Sequence, residues 1–134
     1  MNKKLFWIVT LFLLVAGTFA EAQQAAKVWR IGVLVSSSAS LNASRDDALR
    51  QGLREMGYVE GKNIIMEYRY AEGKLDHLSE LAVDLVRSRP DLILVGGTRV
   101  AVAAKQATSV IPIVVTAAGD LVAAGVVHER ILGS

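Results

Sequence analysis

Residues 51–74 read QGLREMGYVEGKNIIMEYRYAEGK, and their pattern changes from helical to strand-like around a turn. The turn is predicted at residues 60–63 (EGKN), a polar cluster that contains glycine. From Ile64 to Tyr70 apolar and polar side chains alternate, which is the two-residue period of a β-strand. One side of this strand is polar enough to predict a position at the edge of a sheet.

The residues before the turn predict a helix that ends at a glycine. Leu49, Leu53 and Met56 recur at spacings of four and three, which predicts one apolar helical face. Gly57 is the predicted helix stop, because glycine takes the left-handed backbone conformation at little cost. Tyr58 then stands where an apolar residue folds back on Leu53.

Outward from this stretch, strands and helices alternate along the chain. Strands are predicted at residues 28–35, 63–70, 92–95 and 111–116, and helices at about 44–56, 75–88, 99–107 and 121–132. Ser44 and Asp47 have the spacing of a capping box, and Thr98 is a predicted cap of the third helix. The alternation predicts an α/β fold with an open parallel sheet in the order 2-1-3-4, flanked by helices.

Residues 1–22 have the parts of a secretory signal peptide. Lys3 and Lys4 precede an apolar run, and Ala20-Glu21-Ala22 is a small-x-small cleavage site, so the mature chain is predicted to begin at Gln23. Cleavage after Ala20 is the nearby alternative. A membrane anchor is the other alternative, but residues 5–20 are shorter than the roughly twenty needed to span a bilayer.

Composition excludes several classes of protein. Residues 23–134 form a chain of 112 residues, the size of one domain, with 13 basic and 12 acidic side chains. This balance, with no basic stretch interleaved with aromatic residues, predicts no nucleic-acid partner. The chain has no cysteine, so disulfides, thiol chemistry and lipid attachment to cysteine are excluded. No metal-ligand spacing or nucleophile elbow appears, so we predict no metal, no cofactor and no catalytic residue.

Residues 52–64 (GLREMGYVEGKNI), followed by Glu67-Tyr68-Arg69 and Ala71-Glu72-Gly73, also carry a resemblance. They resemble bacterial extracytoplasmic solute-binding proteins of ABC-type importers, including tryptophan-binding-like members. The resemblance extends from about residue 22 to residue 127. It implies a Rossmann-like lobe of a periplasmic-binding-protein type I fold, a periplasmic location, a small solute with an amino acid as the suspected class, and a membrane permease as partner.

The predicted ligand site lies beyond the carboxyl ends of the strands, where open α/β sheets bind their ligands. Loops 36–40, 96–98 and 117–120 each lead into a helix N-terminus, which favours an anion such as a carboxylate. Asp120 is the predicted partner of a ligand ammonium. The candidate ligand-binding residues are Ser37, Ser38, Gly97, Thr98, Thr116 and Asp120. The alternative is that the polar residues only cap helices and that Gly96-Gly97 only permits a tight turn.

The resemblance covers one lobe of a two-lobed binding protein. It holds through Gly125-Val126-Val127, after which the family continues into a second lobe and this sequence reads HERILGS. We therefore expect residues 23–134 to be an N-terminal lobe from a truncated gene product. Two other functions stay open from the sequence: a non-functional or self-associating fragment, and a small exported α/β enzyme.

Overall fold

A computed structural model of the chain describes residues 3–4, 7–10 and 27–117. Residues 3–4 and 7–10 are helical, and the α/β fold is built from residues 27–117. Along these described ranges, no helix combines the length and the apolar character needed to cross a membrane. The predicted last helix, at 121–132, and Asp120 lie outside the described residues.

Four strands alternate with helices along residues 29–117. In chain order the elements are β1 (Trp29–Val35), α1 (Ala39–Glu55), β2 (Ile64–Tyr70), a 3-10 turn (Leu75–His77), α2 (Leu78–Arg87), β3 (Leu92–Gly96), α3 (Thr98–Ala107) and β4 (Ile113–Ala117). All pairings are parallel, and the strand order is β2-β1-β3-β4. The predicted fold class and strand order are confirmed, and the half-polar strand β2 lies at the edge of the described sheet.

The sheet is covered differently on its two faces. On one face, α2 and α3 bury side chains that include Leu85 and Ala101 against Leu34, Ile93 and Val95 of the sheet. The apolar side chains that β3 turns to this face, Ile93 and Val95, are therefore buried in the larger cluster.

On the other face, α1 contributes Leu49 and Leu53, which contact a smaller cluster around Val33, Ile64 and Met66. The helix therefore lies over β1 and β2, as the spacing of its leucines requires. Met56, the third residue of the predicted stripe, is 73% exposed. That part of the prediction is wrong because Met56 is the C-cap, where the backbone leaves the helical path.

The end of α1 confirms the predicted helix stop. Gly57 has a φ of 91°, a left-handed conformation that is strained for residues with a side chain. Its N–H donates to Arg54 O at 3.0 Å, and the N–H of Tyr58 donates to Leu53 O at 2.8 Å. These two bonds are those of a Schellman motif. The Tyr58 and Leu53 side chains belong to the same apolar cluster, as predicted.

Asn63 fixes the turn between α1 and β2. Its amide Nδ2 donates to Gly57 O at 2.9 Å, and its Oδ1 accepts from the Val59 N–H at 2.7 Å. The backbone carbonyl of Asn63 accepts from the Trp29 N–H at 2.9 Å, at the start of β1. One asparagine therefore joins the helix end to the first strand pair.

Two predicted helix starts are wrong. Helix α1 begins at Ala39 rather than Ser44, because Ser38 is extended (φ −82°, ψ 162°) and its hydroxyl accepts from the Leu41 N–H at 3.3 Å. Ser44 and Asp47 therefore lie inside the helix and form no capping box. Helix α3 begins at Thr98 with Gly97 as its N-cap, so Thr98 is the first helical residue instead of the cap.

Candidate functional site

A groove opens at the carboxyl ends of the parallel strands, beside the junction of β1 and β3. The strand order reverses at this junction, since β2 lies on one side of β1 and β3 on the other. Such a switch point is where open α/β sheets bind ligands. The groove has a volume of about 580 Å³. Strand ends, rim loops and one face of α1 line it: Val33, Leu34, Val35, Ser36, Ser37, Asn42, Arg45, Asp46, Ala48, Leu49, Leu94, Val95, Gly96, Gly97 and Thr116.

The loop after β1 is held by the loop after β2. The Ala71 N–H donates to Val35 O at 2.8 Å, which extends the parallel ladder past the strand end. The Gly73 N–H donates to Ser36 O at 2.8 Å, and the Glu72 N–H donates to Ser37 O at 3.3 Å. These bonds occupy the backbone carbonyls of both serines, whose side chains remain at the groove.

Gly97 lines the groove and also has a conformational role. Its φ of 93° and ψ of 154° are accessible to glycine and strained for other residues. Its carbonyl accepts the first bond of α3, from the Ala101 N–H at 3.1 Å. The structure therefore agrees with the interpretation that Gly96-Gly97 permits a tight turn. Ligand contact at Gly97 stays a prediction.

A register shift at the end of β3 and β4 exposes Thr116 at the rim. Val95 pairs with Val115, but Gly96 pairs with Ala117, so Thr116 has no partner in the register. Its hydroxyl donates to Val95 O at 3.2 Å and the residue lines the groove. Irregularities of this kind redirect side chains next to binding sites.

The structure brings together three of the six predicted site residues. Ser37, Gly97 and Thr116 line the groove, although they come from three different loops or strand ends. The Ser38 hydroxyl caps α1 and lies 3.1 Å from the Ser40 hydroxyl, so the cap interpretation describes its observed contacts. Thr98 begins α3 beside Gly97. Asp120 is outside the described residues.

The contribution of α1 to the groove was not predicted from the sequence. Asn42 and Asp46 line it and are only 7% and 5% exposed. The Asn42 amide donates to one oxygen of the Asp46 carboxylate at 2.6 Å, and the Tyr70 hydroxyl donates to the other at 2.6 Å. A signal was available: positions 42 and 46 continue the buried stripe of Leu49 and Leu53 by helical spacing. Polar residues on a buried stripe require partners.

Two tyrosines of β2 lie next to the hydrogen bonds of Asp46. The rings of Tyr68 and Tyr70 stack with centroids 5.8 Å apart, and the Arg50 guanidinium lies 5.0 Å from the centroid of the Tyr68 ring. Burial raises the pKa of Tyr70, and its hydrogen bond to the Asp46 carboxylate raises it further. Burial also raises the pKa of Tyr68, against an opposing effect of the Arg50 charge. Both hydroxyls therefore stay protonated at neutral pH, and that of Tyr70 donates to the Asp46 carboxylate.

Other features of the described residues carry less chemistry. A smaller cavity of about 110 Å³ lies at the C-terminal end of α1, away from the groove. Leu53, Tyr58 and Ile64 are among the residues that line it. No group of three or more His, Asp or Glu side chains suited to a metal ion occurs in the part of the chain that the structure describes. His77 is half exposed beside Asp76.

The sequence of residues 30–132 matches the profile of a protein family, ABC transporter substrate binding protein. The chain belongs to the family of ABC transporter substrate-binding proteins. The match includes β1, the groove and all four described strands, and it confirms the resemblance carried by residues 52–73. Members of this family are binding components of transporters, a class distinct from enzymes.

Individual proteins that resemble this chain are much longer than it is. A tyrosine-binding protein of Clostridioides difficile (strain R20291) is 36% identical over 79 residues, which are 59% of this chain and 23% of that protein. The crystal structure of a conserved domain protein from Vibrio cholerae has a TM-score of 0.69 and 33% identity, over 75% of this chain and 34% of that one.

Two further structures agree in fold. The ligand-free, open structure of a substrate-binding protein with adhesive properties from Clostridium difficile has a TM-score of 0.68 and 30% identity, over 75% of this chain and 34% of that one. An ABC domain from Streptococcus pneumonia in complex with L-Trp has a TM-score of 0.66 and 24% identity, over 74% and 33%. The chain thus spans about a third of the solved family structures and less of the curated relative.

Proposed function

We propose that this chain provides one lobe of an extracytoplasmic solute-binding protein, which captures an amino-acid-like solute and delivers it to an ABC permease. The observation that carries the proposal is the groove at the β1–β3 switch point of a chain that belongs to this family. Relatives named for tyrosine and solved with L-Trp support an amino acid as the class of solute.

The composition of the groove is suited to a small zwitterion with an apolar side chain. Ser37 and Thr116, which carry hydroxyl groups, line the groove together with apolar strand residues such as Val33 and Leu94. Arg45 and Asp46, one of each charge, both line it. Its volume lies within the roughly 300–1,000 Å³ of small-molecule sites.

We further propose that a second lobe, outside residues 1–134, completes the site and closes over the solute by a hinge movement. Relatives about three times as long as the matched region have the length for it. One lobe supplies part of the contact surface and leaves water in the site. Its affinity is therefore expected to be roughly millimolar instead of micromolar, a difference of about 4 kcal/mol.

Ligand-observed NMR with aromatic and branched amino acids tests the proposal. Binding is expected to weaken when Ser37 or Thr116 is replaced by alanine, because each substitution removes a hydroxyl group from a residue that lines the groove. Ser79→Ala is the matched control. Ser79 is an exposed residue of α2, and this helix packs on the face of the sheet opposite to α1. Equal effects at Ser79 and Thr116, or no binding of any amino acid, would refute this site, and the latter would favour a self-associating fragment.

The proposed location follows from residues 1–22, which we expect to direct export and to be removed after Ala22. N-terminal sequencing of the periplasmic protein should begin at Gln23. Recovery of membrane-bound protein that retains residues 1–22 would contradict this part of the proposal.

A further inference from the structure

The carboxylate of Asp46 is buried at the groove without a cation beside it. Both of its oxygens accept hydrogen bonds from neutral donors, the Asn42 amide and the Tyr70 hydroxyl, each at 2.6 Å. Among residues 27–117, no lysine, arginine or histidine nitrogen lies within 4.0 Å of it. The described residues therefore hold and orient the negative charge without an ion pair, and the Arg50 charge acts on it only from a greater distance.

Two arginines of α1, Arg45 and Arg50, form no ion pair with the Asp46 carboxylate. Arg50 donates to Glu60 at 3.1 Å and to Asp47 at 3.4 Å, so its charge is already shared between two exposed carboxylates. Arg45 lines the same groove but forms no ion pair with Asp46. Within the part of the chain that the structure describes, the groove wall therefore contains an acid that has no ion-pair partner.

A buried carboxylate is costly to leave without a cation, whereas a cation with N–H donors stabilises it strongly. Each carboxylate oxygen has two lone pairs, so one bond from Asn42 and one from Tyr70 leave acceptor capacity on both oxygens. An ammonium group carries a full positive charge and three N–H donors. It is therefore complementary to Asp46 in charge and in hydrogen bonding.

We propose that Asp46 is the counter-ion of the ligand's ammonium group, and that Asn42 and Tyr70 are positioning residues that hold its carboxylate toward the groove. This inference rests on the proposed function, because it specifies how an amino-acid-like solute is recognised. It gives to Asp46, on the first helix, the role that the sequence analysis predicted for Asp120.

A pair of ligands isolates the ammonium group. L-phenylalanine and 3-phenylpropionate share the ring and the carboxylate, and only the first has the amine. Titration of the full-length chain, followed by NMR, gives the ratio of the two affinities. The unmodified chain should favour L-phenylalanine by about ten-fold or more, as expected for a hydrogen-bonded contact between charges.

Asp46→Asn should abolish this preference by weakening the binding of L-phenylalanine, and it should not weaken the binding of 3-phenylpropionate. The substitution keeps the size of the side chain and an oxygen that can accept from Tyr70, so the fold is expected to persist. Asp47→Asn is the matched control: it removes the neighbouring carboxylate, which is exposed and paired with Arg50. The ratio in that variant should equal that of the unmodified chain.

Tyr70→Phe tests the positioning role. It should lower the preference for the amine while leaving 3-phenylpropionate binding unchanged, a result that general destabilisation would not produce. The outcomes separate the two proposals. Binding of both ligands with a preference unaffected by Asp46→Asn, or abolished instead by Asp120→Asn, overturns this inference and leaves the proposed function standing. Failure of both ligands to bind the unmodified chain overturns both.

Discussion

Gly32, at the centre of β1, is expected to be replaceable by alanine only at a loss of stability. A Cβ atom built at Gly32 would lie 2.9 Å from three atoms of the Leu85 side chain, Cγ, Cδ1 and Cδ2. Favourable carbon–carbon contacts begin at about 3.5 Å, so the leucine must move by about 0.6 Å. Leu85 is 0% exposed at the contact of α2 with the sheet, so it has no free space to enter.

The magnitude follows from two opposing contributions. An added methyl group in a well-packed core costs about 1–3 kcal/mol through displaced side chains and backbone. Replacing glycine also reduces the conformational entropy of the unfolded chain, which returns about 0.4–1 kcal/mol. Gly32→Ala should therefore lower the free energy of unfolding by about 1–2 kcal/mol, or the Tm by several degrees.

Denaturant unfolding of Gly32→Ala and Gly52→Ala provides the test. Gly52 lies inside α1 with no atom within 4 Å of its built Cβ, so alanine should stabilise the chain there by about 1 kcal/mol. In a Leu85→Ala background, which opens a cavity, the cost of Gly32→Ala should disappear. An unchanged or higher midpoint for Gly32→Ala, with Gly52→Ala behaving as expected, would refute the close-contact explanation.

Four further outcomes are expected from the turn and the tyrosines. Gly57→Val should cost about 1–3 kcal/mol because its φ is 91°, whereas Gly57→Asn should cost less; equal unfolding midpoints would contradict this. Asn63→Ala removes both side-chain bonds of the turn and should lower stability by about 1–2 kcal/mol in the same assay. Tyr68→Phe should be neutral or stabilising, because no described residue hydrogen-bonds its buried hydroxyl, whereas Tyr70→Phe removes a donor to Asp46 and should destabilise the chain by about 1.5–3 kcal/mol. Because the folded-state pKa of both tyrosines is raised, stability present below about pH 10 should be lost as the pH rises above it, and less so in the double phenylalanine variant.

Much of the fold could be predicted because its signals are local. The alternation in β2, the apolar run of β3 and the glycine at the end of α1 each specify one element, and short connections then restrict the topology. The start of α1 was misplaced because several serines precede Ser44, at positions 36, 37, 38 and 40, and the sequence does not distinguish which serine is extended. Ser38 is the one whose hydroxyl meets a free backbone N–H.

The candidate site could be predicted less well, because it depends on tertiary contacts. The loops after strands are visible in the sequence, so Ser37, Gly97 and Thr116 could be expected to lie at one edge of the sheet, where they line the groove. The Asp46 network joins residues 24 positions apart, on a helix and on a strand, and needs the register of β2 against α1. The bulge that exposes Thr116 has no local signal, since residues 113–117 read as uniform strand.

The bonds between the loops after β1 and β2 have a consequence for affinity at a distance. The N–H groups of Gly73 and Glu72 donate to the carbonyls of Ser36 and Ser37. A change in the backbone mobility of one loop is therefore transmitted to the other. Residues 71–73 do not line the groove, yet changes in their backbone freedom should alter how much entropy the serine loop would lose on binding the proposed solute. Amide hydrogen exchange at Gly73 should therefore report on the order of the groove loop from a position outside the groove.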